Sequence, residues 1–195
     1  MKILRTEKQK ISPWVSIVVR HLKGAGGREI YHGLEQEPYV GIFAVRSDGK
    51  IPLVRQFRPI PGVFTWEFPA GTLHPKETPL LAARRELREE TGLAGGKWTR
   101  LGPFLPDTGR LAFASHGFFA LGVSLNGAIA ECEPGLKVQY VNWTELRRMV
   151  LEGKFRHQLH LGLLASVILR QEARLGPETG FLAKKKPRGE TSKSS

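Results

Sequence analysis

The sequence GTLHPKETPLLAARRELREETGL, residues 71–93, predicts one short helix that carries a row of acids. Thr78 is a suitable N-cap residue, and Pro79 favours the first position of a helix because its ring fixes φ near the helical value. Gly92 is typical of a helix C-terminus. We therefore expect a helix from about Pro79 to Thr91, preceded by a loop that begins at Gly71.

The acids of this helix are predicted to lie beside its buried face. Glu86 and Glu90 are spaced to stack on one flank, and Glu89 lies one step further round. Like charges at this spacing disfavour a helix, so a positive partner is expected near them. Mg²⁺ is a suitable partner because it prefers oxygen ligands and keeps positions for water and substrate phosphate. The buried face consists of apolar residues at helical spacing, Leu80, Ala83 and Leu87.

Arginines around this helix are candidates for structural and phosphate-binding roles. Arg85 is expected to pair with Glu77 and so to brace the loop against the helix. Arg55 and Arg58 flank the end of a predicted strand, and Arg110 lies in a loop after the helix. A guanidinium binds phosphate oxygens through parallel N–H bonds, which makes Arg55, Arg58 and Arg110 candidates for clamping a diphosphate. The alternative is that they are ordinary surface arginines.

The composition is that of a globular protein with basic ends. The chain has 195 residues, 41% hydrophobic and 25% charged, so one domain with a sizeable core is expected. The formal charge of +12 is enriched in segments 2–10 and 184–193, and we expect no nucleic-acid partner from that distribution. A single cysteine, Cys132, excludes an intrachain disulfide. With neither a bilayer-spanning apolar run nor a signal-peptide core, the chain is expected to be cytoplasmic, with no membrane partner.

The order of the predicted elements indicates an α+β fold with a mixed β-sheet. Residues 1–11 are expected to be a basic N-terminal extension, and residues 12–178 the single domain. Residues 12–35 are predicted to form a β-hairpin that could serve subunit contacts. Residues 179–195 form a basic tail that is low in apolar residues and is expected to be disordered.

Other segments are predicted from their turn and capping residues. Segments 39–46 and 51–57 are expected to be strands joined by the hairpin-turn sequence SDGK. Trp14 and Tyr31 are expected to be core residues, with stacking on a base as the alternative. Further strands are expected at 98–105, 115–123 and 138–143, followed by a helix capped by Thr144 and ending near residue 151, and by a longer amphipathic helix from about 156 to 175.

The acidic helix and its loop resemble the Nudix box, Gly-x5-Glu-x7-Arg-Glu-U-x-Glu-Glu-x-Gly-U, where U is aliphatic. A solvated, charged helix face is the alternative for a short acidic run, but here every specified position of the longer motif is matched. The flanking phrases VRQFR and WEFPAG, at 54–58 and 66–71, are similar to those of the ADP-ribose (ADP-sugar) pyrophosphatase branch. The residues that match the box are Gly71, Glu77, Arg85, Glu86, Leu87, Glu89, Glu90, Gly92 and Leu93.

This resemblance implies a fold and a reaction. The fold would be the Nudix α/β/α sandwich, with the N-terminal hairpin added to it. The reaction would be Mg²⁺-dependent hydrolysis of the diphosphate of an ADP-sugar, giving AMP and ribose 5-phosphate from ADP-ribose, with Mn²⁺ or another divalent ion as a substitute. A homodimer is implied because members of that branch commonly build their site across two subunits.

The resemblance also implies roles for individual residues. The carbonyl of Ala70 would bind the metal together with Glu86 and Glu90, and Glu89 would be a further ligand or hold a water. In the loop at 126–137, Glu131 would be the general base and Glu133 a late metal ligand. The choice of base among Glu131, Glu133 and Glu89 stays open. Two further residues match positions that touch the nucleotide or its terminal sugar, Arg58 and Glu67.

Two other functions are compatible with the same residues. The first is a Nudix hydrolase for another nucleoside diphosphate, such as GDP-mannose, NADH, a dinucleotide polyphosphate or capped RNA. The second is a non-catalytic Nudix module that senses a nucleotide. Modules of that kind usually lose box glutamates, whereas Glu86, Glu89 and Glu90 are all present here.

Overall fold

The computed structural model describes residues 1–126 and 135–170. In this part of the chain no helix is both long enough and apolar enough to cross a membrane. The strands are β1 Lys2–Lys10, β2 Ser16–Gly24, β3 Gly27–Glu35, β4 Tyr39–Arg46, β5 Ile51–Arg58, β6 Val63–Glu67, β7 Ala70–Thr72, β8 Leu93–Phe104, β9 Ser115–Leu125 and β10 Lys137–Val141. The helices are α1 Pro79–Thr91, α2 Trp143–Leu151 and α3 Gln158–Leu169.

The strands form three sheets, and the central one is mixed. Its order is β7-β4-β9-β8, and β4 runs parallel to β9 while the other pairs are antiparallel. A second, antiparallel sheet has the order β10-β5-β6. The N-terminal strands form the third sheet, β1-β2-β3. The mixed sheet and the separate N-terminal element confirm the predicted fold class.

Strand β4 carries a core on each of its faces because successive side chains point to opposite sides of a sheet. Val40 and Ile42 pack in a cluster with Leu87 of α1, and all three side chains are fully buried. Phe43 belongs to a second cluster that contains Leu163 of α3, together with residues of α2. Helices therefore cover both faces of the central sheet, which is the expected α/β/α layering.

The prediction of a hairpin over 39–57 was wrong in its pairing. The turn is present, since the Arg46 amide donates to the Lys50 carbonyl at 2.8 Å and Gly49 has φ 81°. However, β4 and β5 lie in different sheets. Strand β4 pairs with β7 and β9, and β5 pairs with β6 and β10, so the two strands that flank the turn belong to separate ladders.

The N-terminal region is larger than a hairpin. Residues 2–10, expected to be an extension, form β1 and pair antiparallel with β2. The expectation that Trp14 and Tyr31 are core residues was wrong, because they are 75% and 50% exposed. A three-stranded sheet that rests on the domain through one face leaves its other face and its turns in solvent.

The C-terminal helices differ from expectation at their ends. The N-cap of α2 is Asn142 and not Thr144: the Asn142 side chain accepts from the Glu145 amide, and the Glu145 carboxylate accepts from the Asn142 amide. This reciprocal capping box satisfies two backbone donors, which a cap at Thr144 would leave to solvent. Helix α3 begins at Gln158 and ends at Leu169, short of the predicted 156–175. Residues 171–175 lie outside the described part of the chain.

Candidate active site

Helix α1 has the predicted bounds, and its ends show why. The Thr78 hydroxyl accepts from the Leu81 amide, Pro79 is the first helical residue, and Gly92 ends the helix in the left-handed region with φ 68°. Ala83 and Leu87 are fully buried against the central sheet. Burying one leucine completely stabilises a fold by about 1.5–3 kcal/mol, so this face fixes the rotation of the helix. The acids on its flank are fixed with it.

Arg85 braces the loop that precedes α1, as predicted. Its Nε and Nη2 donate to the two carboxylate oxygens of Glu77, both at 3.0 Å, and Nη2 also donates to the Thr72 carbonyl at 3.0 Å. Hydrogen bonds from Arg85 lower the pKa of Glu77 to about 2. Arg85 also reaches the helix acids, with Nη1 at 2.7 Å from Glu86 and 3.1 Å from Glu89. The Arg85 guanidinium therefore joins the loop to Glu86 and Glu89, two of the metal ligands that the resemblance implies.

Glu86 lies directly over the first glycine of the box. A Cβ atom added at Gly71 would collide with the Glu86 carboxylate, so only glycine leaves room for that side chain. Burial raises the pKa of Glu86, although the neighbouring Arg85 partly opposes the shift. Gly71 is not among the positive-φ glycines, so its backbone conformation does not call for glycine. Glycine is needed there because the Glu86 carboxylate occupies the space that a side chain would fill.

Glu90 is the acid whose charge is least favoured. Its Oε2 accepts from the Ala70 amide at 3.0 Å, which fixes the carboxylate against the start of β7. Burial raises the pKa of Glu90 to about 8, and the negative charges of Glu86 and Glu67 contribute to the shift. Carboxylates that are crowded and desolvated in this way are stabilised as anions by a bound cation.

The residues at this position fit a hard divalent cation. Ala70, Glu86 and Glu90 offer a carbonyl and carboxylate oxygens, which are the ligands that Mg²⁺ and Mn²⁺ prefer. The hydrogen bond from the Ala70 amide holds Glu90 against Ala70, and the Glu86 carboxylate lies against Gly71, the residue that follows Ala70. Glu89 is more exposed, at 44% of its side-chain surface, and lies at the outer edge of the same helix flank.

Two of the predicted substrate ligands bind each other. Arg58 donates through Nε at 2.8 Å and through Nη2 to the carboxylate of Glu67, which is fully buried and also accepts from the Thr65 hydroxyl. Burial alone would raise the pKa of Glu67, but the hydrogen bonds from Arg58 and Thr65 leave it lowered. Glu67 thus fixes the direction of Arg58, whose side chain is 36% exposed.

The other predicted clamp residues lie in different surroundings. Arg55 stacks over the Phe64 ring at 4.1 Å from its centroid. Arg110 lines a cavity of about 600 Å³ between the N-terminal sheet and the 105–114 loop, and no residue of α1 is among the described residues that line it. Glu131 and Glu133, the predicted base and late ligand, lie in 127–134, outside the described residues.

A histidine pair beside Glu67 was missed from the sequence. The ring of His160 is almost fully buried, with Nδ1 accepting from the Phe68 amide at 3.0 Å and Nε2 lying 2.9 Å from the Tyr39 hydroxyl. His157 stacks on His160 with ring centroids 4.0 Å apart, and its Nε2 is 3.8 Å from Glu67. The i,i+3 spacing of two histidines at the start of a helix was the available signal.

This pair and Glu67 offer ligand atoms within 4.8 Å of one another, which is close enough to hold a metal ion. The bonding of the group opposes that role. The Glu67 carboxylate is already paired with the Arg58 guanidinium, and His160 Nδ1 faces an amide hydrogen. A cation here would have to displace a charged hydrogen-bonded pair, which is costly in a buried position. The oxygen ligands around Glu90 are therefore the better candidate for a metal site.

Comparisons with known proteins show which sequences and folds this chain is similar to. The family model for the NUDIX domain matches residues 35–161. A CMP-5'-(N-acetyl-N-hydroxy-3-aminopropyl)phosphonate hydrolase of Streptomyces rubellomurinus is 24% identical over 73% of this chain and 70% of its own. An ADP-ribose pyrophosphatase of Bacillus subtilis is 39% identical over 44% of this chain, and the match spans 46% of that relative. A crystal structure of an ADP compounds hydrolase superposes with a TM-score of 0.74 at 18% identity, covering 87% of this chain and 92% of the other.

Proposed function

Because the chain belongs to the NUDIX domain family of hydrolases, we propose that it hydrolyses the diphosphate bond of an ADP-sugar, most favourably that of ADP-ribose, in a metal-dependent reaction. The observation that carries the proposal is the crowding of Glu86 and Glu90 around the start of β7, where burial raises the pKa of both carboxylates. The relative from Bacillus subtilis supports ADP-ribose as the substrate.

The proposed metal ligands are the Ala70 carbonyl and the carboxylates of Glu86, Glu90 and, on the exposed side, Glu89. A divalent ion bound there would neutralise phosphate oxygens and lower the pKa of a coordinated water. Mg²⁺ is the proposed ion, and Mn²⁺ would serve in its place because both prefer oxygen ligands. Glu133, which lies outside the described residues, is proposed as a late ligand.

The chain's own residues would orient the substrate and move the proton. Arg58 is held by Glu67 through Nε and Nη2, so its third nitrogen, Nη1, is not used in that pair and is proposed to bind a phosphate oxygen. Arg55 and Arg110 are the other proposed phosphate ligands. Glu131 is the proposed general base, and Glu89 and Glu133 are the alternatives for this role. Replacing each glutamate by glutamine and comparing pH–rate profiles would rank them.

Exposed apolar residues on the outer face of the N-terminal sheet support a homodimer. The register pairs Ile17 with Leu34, Val19 with His32 and His21 with Ile30 on the face turned away from the buried Val18 and Leu22. Ile30 and Leu34 are 57% and 45% exposed. Neighbouring apolar residues on an open sheet face are typical of a protein interface. The proposed partner is a second copy of this chain.

A second candidate substrate is a CMP-linked phosphonate. It is favoured by the relative from Streptomyces rubellomurinus, whose match covers more of this chain than that of the Bacillus subtilis relative. Such a compound also presents an anhydride between two phosphorus centres to the metal. The difference would lie in the base and in the group beyond the second phosphorus.

The deciding experiment is a release assay with the full chain and Mg²⁺. We expect a higher kcat/KM for ADP-ribose, with AMP as a product, than for ADP-glucose, GDP-mannose, NADH, a dinucleotide polyphosphate, capped RNA or a CMP-phosphonate. We expect EDTA to abolish the release of AMP. Glu90→Gln should lower turnover by about 100-fold or more, because outer-shell groups alone often cost 10–100-fold. Glu37→Gln, at an exposed position, is the matched control.

The other outcomes are equally decisive. Preferential cleavage of another substrate in the panel would replace ADP-ribose while retaining the metal-dependent chemistry. Nucleotide binding without turnover of any substrate would indicate a sensing module. Unchanged turnover in Glu90→Gln would contradict the proposed metal site.

A further inference from the structure

The chain changes sheets at the corner formed by residues 67–70. Strand β6 ends at Glu67 in one sheet, and β7 begins at Ala70 in the central sheet. The corner is held at every residue. Glu67 binds Arg58, the Phe68 amide donates to His160, the Pro69 carbonyl accepts from the Ile42 amide at 2.9 Å, and the Ala70 amide donates to Glu90.

The Phe68 amide has no strand partner because the ladder of β6 stops at Glu67. Phe68 is fully buried, so an amide hydrogen without an acceptor there would be costly. His160 supplies the acceptor from α3, a helix that lies far from Phe68 in the sequence. The bond joins residues separated by 92 positions.

The same bond determines the tautomer of His160. A ring nitrogen that accepts an amide hydrogen carries no hydrogen itself, so Nδ1 is bare and Nε2 bears the proton in a neutral ring. Nε2 then donates to the Tyr39 hydroxyl oxygen, 2.9 Å away. Burial lowers the pKa of His160 to about 3, in agreement with a neutral ring.

Tyr39 is the first residue of β4, the strand that pairs with β7. The next two residues of β4, Val40 and Gly41, lie opposite Gly71 and Ala70. His160 therefore connects the corner at 67–70 with β4, the strand that pairs with β7. The ring is 1% exposed and stacks on His157 and Phe68, which leaves it little freedom to move.

We propose that His160 is a positioning residue for the metal site: by binding the Phe68 amide and the Tyr39 hydroxyl it fixes the corner that aims the Ala70 carbonyl and the Ala70–Glu90 bond. This inference rests on the proposed function, because it takes Ala70, Glu86 and Glu90 as metal ligands. Groups that bond metal ligands directly typically contribute about 10–100-fold to metal affinity, and His160 acts through the backbone that carries one such ligand, Ala70.

The test measures Mn²⁺ affinity without substrate, by titrating the full chain and following free Mn²⁺ by electron paramagnetic resonance. His160→Phe keeps a ring but removes both hydrogen bonds, and we expect it to bind Mn²⁺ about 10-fold or more weakly. His160→Asn places an amide oxygen near the position of Nδ1 and should restore much of the affinity. Tyr39→Phe removes only the outer bond and should give a smaller loss.

Met149→Ala is the control for a general loss of stability, because Met149 is a core residue of α2. Its melting temperature should fall while its Mn²⁺ affinity stays at the wild-type value. If His160→Phe does not fold, the comparison of Tyr39→Phe with Met149→Ala carries the same test. The inference is overturned if the folded His160 and Tyr39 variants bind Mn²⁺ as tightly as the wild type. If the wild type itself binds no Mn²⁺, the proposed metal site fails and the inference falls with it.

Discussion

Charge at individual residues is controlled by burial and by single hydrogen bonds. Glu77 and Glu90 belong to the same motif, yet their pKa values shift in opposite directions. Glu77 receives two bonds from Arg85 and is stabilised as an anion, whereas burial of Glu90 favours its protonated form. The sequence motif alone does not distinguish these two glutamates. Their surroundings assign Glu77 to bracing the loop and Glu90 to the proposed metal site.

The raised pKa of Glu90 predicts an unusual pH dependence of stability. The unfolded chain loses this proton near the ordinary pKa of 4.5, and the folded chain keeps it until about pH 8. The folded state binds more protons in that window, so the contribution of Glu90 to the free energy of unfolding falls as pH rises through it. In EDTA, we expect wild type to lose melting temperature relative to Glu90→Gln between about pH 5 and 8.

Calorimetry at several pH values measures that difference, and Glu37→Gln again serves as the control at an exposed position. Added Mg²⁺ should reduce the pH dependence of the wild type, because the metal stabilises the ionised carboxylate. Parallel curves for wild type and Glu90→Gln in EDTA would contradict the assigned environment of Glu90.

At the level of elements, the proposed metal site is a contact between a helix and a strand. Helix α1 supplies the carboxylates, and β7 supplies Ala70 and Gly71, which lie close enough for the Ala70 amide to bond Glu90. Capping residues and an apolar stripe hold α1, while the corner at 67–70 holds β7. The site therefore depends on two local structures that must be placed accurately relative to each other.

Gly71→Ala tests that placement. The added methyl group would displace the Glu86 carboxylate, which is at the end of a flexible side chain, so the fold should tolerate the change. We expect Mg²⁺-dependent turnover to fall about 100-fold, as misplacement by about 1 Å can cause, with a small change in melting temperature. A new methyl at Gly162 in α3 meets nothing within 4 Å. Gly162→Ala should retain activity and gain about 0.5–1 kcal/mol of stability. Equal activity of the two variants would contradict the role assigned to Gly71.

At the level of the whole molecule, backbone hydrogen bonds join the edge strand β3 to the 105–114 loop of the domain. The Leu34 amide donates to the Arg110 carbonyl at 2.7 Å, and the Ala112 amide donates back to the Leu34 carbonyl at 2.8 Å. A Cβ at Gly33 would approach the Arg110 carbonyl to 2.9 Å, so this contact also needs a glycine. The opposite face of the sheet keeps its apolar residues in solvent, where a second chain could cover them.

Light scattering after gel filtration tests the proposed dimer. We expect the wild type to elute with the mass of two chains and Ile30→Glu to elute with the mass of one, because burying an unpaired charge in an interface is costly. Ile60→Glu is the control, since Ile60 is 99% exposed in the loop between β5 and β6, outside the N-terminal sheet. A single-chain mass for the wild type would contradict the dimer.

Local rules were enough to predict much of this protein. The bounds of α1, its caps and its acid row follow from helical periodicity, from Thr78 and from Gly92, all within one stretch of chain. The Arg85–Glu77 pair followed from the same stretch. The family also followed from it, because the box is a continuous motif whose residues act on one another over short distances.

The partners of the strands and the surroundings of the acids depended on contacts between distant residues. The turn at 47–50 was predicted, but only the pairing partners of β4 and β5 show that the chain changes sheets there. Tyr39 and His160 are 121 positions apart, and the burial that raises the pKa of Glu90 is a property of the assembled core. Periodicity and capping act within a few residues, whereas desolvation and sheet pairing arise when remote segments meet.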